Sequence, residues 1–320
     1  MSGRNVELDD FLAVLNKRLA PVDGRDARTL RATLGDADVL DLARETAELD
    51  DAVDWLVAAV RTTAHVSPSA AFALAGRFAA QRGLAATETA ESDMPDLTSA
   101  VTDPAAPALW TATVPTLFAP GAFVLLDRRT ESAALARWDE LVPDRAAEAR
   151  RSGLREAALR TVRPGGPVMA LPDTVARRTA HDWDLFTSAV ALGIAEHALH
   201  TAETYAGERR QFGSAIGTFA GLRAILAEMR VRVGAVRAML DGAVAGDGDT
   251  AELLAEAGRA AVDVCVDAIQ VLGGYGYIDE YPVAGLLRDA ISLLARGGGR
   301  RSLLAQVAAR HLGKAGGGAR

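Results

Sequence analysis

Apolar and polar residues alternate in three distinct textures along this chain. Over residues 1–98 apolar side chains recur at helical spacing, in Phe11, Val14, Leu15 and Leu19, then Leu40 and Leu42, then Val53, Leu56, Val57 and Val60. Pro21, Asp23-Gly24 and Ser67-Pro68 punctuate the pattern, so several helices separated by turns are expected there. From about 99 to 176 the period is lost. The run TATVPTLFAPGAFVLLD (111–127) is rich in β-branched and aromatic residues with proline breaks and predicts strands. TVRPGGPVMAL (161–171) predicts a strand pair around a turn.

Helical spacing returns over 177–313 and is stronger. Leu185, Ala189, Leu192, Ala195, Leu199 and Ala202 form one stripe, with Gly213 expected as the C-terminal cap of that helix. Phe219, Leu222, Leu226, Met229, Val233, Val236 and Leu240 alternate steps of three and four, the spacing of a bundle seam. Asp249 and Glu252 have capping-box spacing before a third helix, which runs to Gly273-Gly274. A fourth helix is expected around 283–296, followed by the break R296-G-G-G-R-R301 and a last helix to about His311. Each glycine inside a helix costs about 1 kcal/mol relative to alanine, so three in a row end one helix before another begins. The predicted fold is α+β and mainly α. It comprises an N-terminal helical domain (1–98), a shortened middle β-domain (99–176), a C-terminal four-helix bundle (177–313) and a flexible tail (314–320).

Composition sharpens this picture in a few places. Aromatic residues are 5% of the 320, while Ala, Leu and Val dominate a 49% hydrophobic content, which favours close helix-on-helix packing through small residues. A net charge of −7 gives no electrostatic reason to expect a nucleic-acid partner. The single cysteine, Cys265, excludes an internal disulfide and a cysteine metal cage, and no metal site is expected. No apolar run approaches the ~20 residues of a membrane span, and the acidic N-terminus is unlike a signal peptide. A cytoplasmic protein without a membrane partner is expected.

Two stretches of the bundle carry a resemblance to a known family. Y205-A-G-E-R-R-Q-F-G-S-A-I-G-T-F219 is similar to the Y-A-x-x-R-x-Q-F-G-x-x-I-x-x-F signature of acyl-CoA dehydrogenases. Q270-V-L-G-G-Y-G-Y-I-D-E-Y-P-V283 resembles the second signature of that family, and R288-D-A290 falls where the family has Arg-Asp-Ala. The resemblance covers roughly 177–313 in motif and the rest in layout. It implies FAD shared between subunits, with its adenosine-pyrophosphate end held by a neighbour's bundle. Arg209 would then offer its guanidinium to the pyrophosphate, which suits a fork of donors. Gln211 and Gln270 would be polar contacts, Phe212 an apolar wall, and Gly273 and Gly274 would let backbone approach phosphate. GGYG also resembles part of a dinucleotide loop, but no strand is expected before it, which rejects a Rossmann site.

The departures from the family are as informative. Its reaction removes a proton beside a thioester while hydride leaves the adjacent carbon for flavin, and it needs a carboxylate base close by. The usual base is a Glu in a Glu-Gly-Thr run; the corresponding slot here is Gly297, and the Thr slot is Gly299. Some relatives place the base on the first bundle helix instead, and that position is Trp183. Asp182 and Asp184 flank it as remaining candidate bases, although neighbours on a helix point ~100° away. Both also suit the N-terminal end of a helix, where the macrodipole favours acids. His197 and His200 are expected in packing roles, and His181 is a lesser base candidate. T87-E-T-A-E-S-D93 is a faint echo of the family's flavin-side run, and Trp110 a weak counterpart of its flavin-backing tryptophan. The resemblance therefore implies a subunit of a heteromeric α2β2 acyl-CoA dehydrogenase that lacks its own base and helps hold the FAD of a homologous catalytic partner, with acyl-CoA mainly on that partner. A self-sufficient dehydrogenase with a relocated base, or a flavin enzyme of other chemistry on the same fold, remain as alternatives.

Overall fold

The computed structural model describes residues 6–85, 87, 97–103, 106–113, 121–144, 152–157, 159–296 and 299–312. Five helices come first: α1 (Val6–Leu19), α2 (Ala27–Asp36), the single turn α3 (Leu42–Glu45), α4 (Ala52–Ala64) and α5 (Pro68–Leu84). The predicted breaks are helix starts. Asp26 caps α2 by accepting from the backbone N–H of Arg28 and Thr29, and Ser67 caps α5 with Pro68 in its first turn. Only Arg82 of α5 escapes burial; most of the helix is apolar or small, and the buried Arg77 donates to the Leu40 carbonyl.

Seven strands follow: β1 (Leu97–Asp103), β2 (Ala106–Thr113), β3 (Ala122–Asp127), β4 (Ser132–Arg137), β5 (Leu141–Pro143), β6 (Leu159–Pro164) and β7 (Met169–Leu171). They form one sheet in the order β5-β6-β2-β1-β3-β4-β7, with β1 and β3 parallel and the other pairs antiparallel. Strand alternation divides the sheet between two cores. Leu97, Val101, Val124 and Leu126 join the large helical core, whereas Ala100, Phe123, Leu125 and Val162 make a small one with Trp110 and Trp138. Strands β4 and β5 come from a charge-rich stretch whose alternation does not stand out in the sequence.

The bundle is built on α6 (Asp173–Glu208), with α7 (Ala220–Val244), α8 (Thr250–Leu272) and α9 (Val283–Leu294). All of α6 from Asp182 to Ala195 is buried, because α4, α5, α7, α8, α9 and the sheet surround it. Close approach requires small residues. A Cβ added at Gly193 would lie 2.6 Å from Ala64 Cβ, and one at Gly83 would lie 2.1 Å from Thr179 Oγ1. The α7 seam is buried at Met229, Val233, Val236 and Leu240, while Phe219 precedes the helix and is half-exposed. Asp249 caps α8 by accepting from the Ala251 N–H at 2.7 Å, while Glu252 pairs with His311 rather than closing a reciprocal box. Among the described residues no helix is long and apolar enough to cross a membrane. The last helix, α10 (Gly299–Leu312), buries only Leu303 fully; polar contacts from Gln306 to Arg128, Arg310 to Asp249 and His311 to Glu252 attach it. Gly297 and the tail at 314–320 lie outside the described residues.

Two expectations require correction. Helix α6 ends at Glu208, so Gly213 is not its cap; the chain instead makes a small hairpin, described below. Nor are Asp182 and Asp184 helix-terminal acids, since α6 begins at Asp173 and carries them more than two turns inside. Asp182 accepts from Nε of Arg82 and of Arg178, each at 2.9 Å, and lies 3.1 Å from His181 Nδ1. Asp184 is enclosed with Arg128, which follows β3 and grips both carboxylate oxygens, Nη2 at 2.7 Å. Arg128 also donates to Gln306 at 3.1 Å and so ties sheet, α6 and α10 together.

A second charged group joins α4, α6 and α7. Glu196 accepts from Arg61 at 3.1 Å, His65 at 3.0 Å and Arg237 at 2.6 Å. Burial would raise its pKa, but the His65 hydrogen bond, the Arg61 charge and the Arg237 hydrogen bond hold it below the usual value. His197 stacks on His65 with ring centroids 6.4 Å apart. Burial first, then the charges of His65 and His200, lower it from 6.5 to about 4.

Asp184→Ala leaves the Arg128 guanidinium buried without a counter-ion and is expected to destabilise the fold by about 3–5 kcal/mol. Urea unfolding checks this, and a loss below about 1 kcal/mol contradicts a structural role for the pair. His197 generates a pH dependence. With a folded pKa of about 4 below the usual 6.5, the unfolded chain binds the extra proton between those values, so stability falls as pH drops through that window. Asp289, raised from 3.8 to about 6 chiefly by burial, has the opposite slope but is shared by wild type and variant. Wild type is therefore expected to lose stability relative to His197→Gln between pH 7 and 4.5, as read from paired urea titrations. A constant difference excludes the effect.

Candidate functional site

The last turn of α6 and the turn after α8 meet at one end of the bundle. Arg209 closes α6 by donating its N–H to the Tyr205 carbonyl at 2.9 Å. The chain then folds back in a hairpin of β8 (Arg210–Gln211) and β9 (Ser214–Ala215). Its two central residues, Phe212 and Gly213, have φ of +50° and +83°, the left-handed pair of a type I′ turn. Glycine adopts this conformation freely, whereas a bulky L-residue there is strained by about 1–2 kcal/mol. Phe212 is nevertheless held there and is 94% exposed, touching Phe219 edge-on at 6.3 Å. A strained, solvent-facing aromatic side chain is a feature that folds retain at sites of use.

On the other side, α8 ends at Leu272 and Gly273 caps it at φ +60°. Gly273–Tyr277 forms a 3-10 turn. Gly273 and Gly274 are exposed, and a Cβ on either would project into open space, so their backbone is free to be approached. At Gly276, by contrast, an added Cβ would lie 3.0 Å from Ile269 Cα. Gln270 lies exposed on the final turn of α8, and Gln211 exposed on the hairpin.

Tyrosines join the two halves. Tyr205 packs against Tyr275 at 6.2 Å and Tyr281 at 5.6 Å, and the latter two lie 6.1 Å apart. The Arg209 guanidinium lies 5.4 Å from the centre of the Tyr275 ring. Its Nε is buried without a hydrogen-bond partner, and no ion pair to Arg209 exists among the described residues. On α7, Arg230 is matched to Glu203, Arg232 to Asp267 and Arg237 to Glu196, each at 2.6 Å. An unneutralised guanidinium beside bare glycine backbone and an exposed aromatic ring is suited to a phosphate ester bearing a flat ring system. The chain's four tyrosines all fall in the two signature stretches, a signal that could have singled out Tyr205, Tyr275 and Tyr281 from sequence.

The candidate bases are placed differently. Asp182 and Asp184 are buried in arginine pairs, so neither carboxylate is open to a substrate proton; burial on an enclosed helix overrides the sequence expectation. Trp183 is core, edge-on to Phe72 at 5.4 Å. His181 leans on Asp182 and His197 on His65. Trp110 is partly buried in the small sheet core. Of the 87–93 run only Thr87 is described. Gly299, in the former Thr slot, opens α10 at φ +68°.

Comparison with known proteins bears on the same bundle. Residues 185–312 match the family model of the acyl-CoA dehydrogenase C-terminal domain. The short-chain specific acyl-CoA dehydrogenase of Clostridium acetobutylicum is 37% identical over 123 residues, which are 36% of this chain and 32% of that protein. The match thus spans about a third of the curated relative. Among solved structures, an acyl-CoA dehydrogenase from Geobacillus kaustophilus superposes with TM-score 0.78 at 17% identity, covering 98% of this chain and 99% of that one. The Tcur3481-Tcur3483 steroid ACAD superposes at 0.73 and 21% identity, with 94% and 96% covered. At these identities the structures speak for a shared fold, and the bundle supplies the sequence match. The bundle, residues 185–312, is thus similar to the C-terminal domain of acyl-CoA dehydrogenases, and the whole chain shares their fold.

Proposed function

We propose that this chain is the base-less subunit of a heteromeric α2β2 acyl-CoA dehydrogenase, whose bundle holds the adenosine-diphosphate half of FAD seated mainly on a catalytic partner. The observation that carries the reading is Arg209, a guanidinium with a buried, partnerless Nε and no counter-ion among the described residues, while Arg230, Arg232 and Arg237 on α7 are paired. The surrounding residues fit a diphosphate. Arg209 brings charge and a fork of donors, the turn at Gly273 and Gly274 bare backbone, Gln211 and Gln270 polar ends, and Phe212 an apolar wall.

Bound FAD would supply the hydride acceptor for dehydrogenation of an acyl-CoA thioester. Among the described residues the two candidate bases, Asp182 and Asp184, are engaged with Arg82, Arg178 and Arg128. The proton would then pass to a carboxylate of the homologous partner, which would also carry most of the acyl-CoA. The likeness to the steroid ACAD that bears two component names is in keeping with such a pair. Neither nucleic acid nor membrane has a place in this reading, and the cytoplasm suits it.

Purified alone, the chain is expected to retain little FAD; co-produced with a base-carrying homologue from the same source, it should copurify with about one FAD per pair. Stoichiometric FAD in the isolated chain, bleached by acyl-CoA, overturns the heteromer reading. In the complex, Arg209→Ala removes a charge-assisted contact of about 1.5–3 kcal/mol, so FAD affinity should fall at least tenfold by fluorescence titration. Unchanged affinity rejects the clamp.

A further inference from the structure

Tyr275 belongs to the second signature stretch and packs against Tyr205 of the first, yet has no polar task among the described contacts. Its ring faces the Arg209 guanidinium at 5.4 Å and packs on Tyr205 and Tyr281 at 6.2 and 6.1 Å, while the residue remains 44% exposed. A carboxylate in this place would orient Arg209 equally well, but would also neutralise it and occupy the donors that an anion needs. A π-face attracts the cation through its quadrupole and accepts none of the in-plane N–H groups. The arginine is oriented and its charge is kept.

We propose that Tyr275 is a positioning residue for anion binding: with Tyr205 and Tyr281 behind it, it fixes the Arg209 guanidinium in the plane that presents its donors to a diphosphate ester. The inference rests on the clamp reading above and adds the device that makes the clamp selective. Arg209 sits at the free end of α6, where its long side chain would otherwise sample many rotamers, and ordering it in advance lowers the entropy lost on binding. The aromatic triangle itself is braced from two elements, Tyr205 on α6 and the turn after α8, so the orientation survives loss of any partner chain.

The test uses the full-length chain and ADP as probe, titrated by calorimetry, with thermal unfolding to confirm that each variant is folded. Wild type is expected to bind ADP weakly, Tyr275→Phe to bind it equally, and Tyr275→Leu to bind it about three- to tenfold less tightly. In the Arg209→Ala background, Tyr275→Leu should cause no further loss, because its effect acts through the arginine. Failure of Tyr275→Phe to match wild type shifts the role to the hydroxyl and overturns the inference. So does an undiminished Tyr275→Leu, or a loss that persists without Arg209. If Arg209→Ala itself binds ADP like wild type, or wild type does not bind, the clamp reading falls together with this one. A normal Tyr275→Leu beside a defective Arg209→Ala removes only the positioning role.

Discussion

Enclosure of a single 36-residue helix organises this molecule. Between Asp182 and Ala195 every side of α6 is covered, so each neighbour must solve the same two problems: how to come close, and how to neutralise what charge the helix carries. The first is solved by alanine and glycine. Gly193 and Gly83 sit at crossings where even a methyl group would meet the next helix, and the low aromatic content of the chain is the compositional trace of such contacts. The second is solved by arginine. Asp182, Asp184 and Glu196 on α6 each receive at least one guanidinium from another element, so the acids that look chemically available in sequence become structural rivets. Burial makes these pairs obligatory, because an unpaired charge in such a place is far more costly than a mismatched surface pair.

Seen against that background, the free end of α6 is unusual for what it lacks. Asp182, Asp184, Glu196 and Glu203 along the helix each meet a guanidinium, whereas at Arg209 a tyrosine face stands where an acid would. The adjoining hairpin spends conformational energy to hold Phe212 outward, and the turn after α8 exposes bare backbone at Gly273 and Gly274. These are three separate departures from what stability alone would select, and they occur within one small region. A local sacrifice of this kind is how a fold marks surface reserved for something else.

Much of the architecture was legible from periodicity, and for definite reasons. The α7 seam is half-buried, so its Met229, Val233, Val236 and Leu240 stand out against polar neighbours. Helix α6 was harder to delimit, since full enclosure erases the contrast between faces; its start at Asp173 and its end at Glu208 are set by packing and by the hairpin. Asp182 and Asp184 were misread for the same reason, because nothing local reveals that Arg82 and Arg128 arrive from distant segments. Gly213 is expected as a helix cap and is instead a hairpin residue, because both sites call for the left-handed backbone that glycine adopts freely. Arg209, Gln211, Phe212, Gln270, Gly273 and Gly274 were recognisable as a set through the two signature stretches. The tyrosines fall in the same two stretches, but the packing of Tyr205 on Tyr275 and Tyr281, at least seventy positions away, is a tertiary contact that the sequence does not display.

Helix α10 has a consequence of its own. It follows a run of glycines, buries little beyond Leu303, and is fastened by polar contacts to Arg128, Asp249 and Glu252. Such an element belongs to the low-stability end of a native ensemble and opens as a separate unit, ahead of the helices it lies on. Its amides would exchange with solvent long before those of α6 or α8, and its release would uncover Arg128 while leaving the bundle folded. Detaching this one helix would cost its contacts to Arg128, Asp249 and Glu252 and the packing of Leu303 on Ala251, Leu254 and Ala255 of α8.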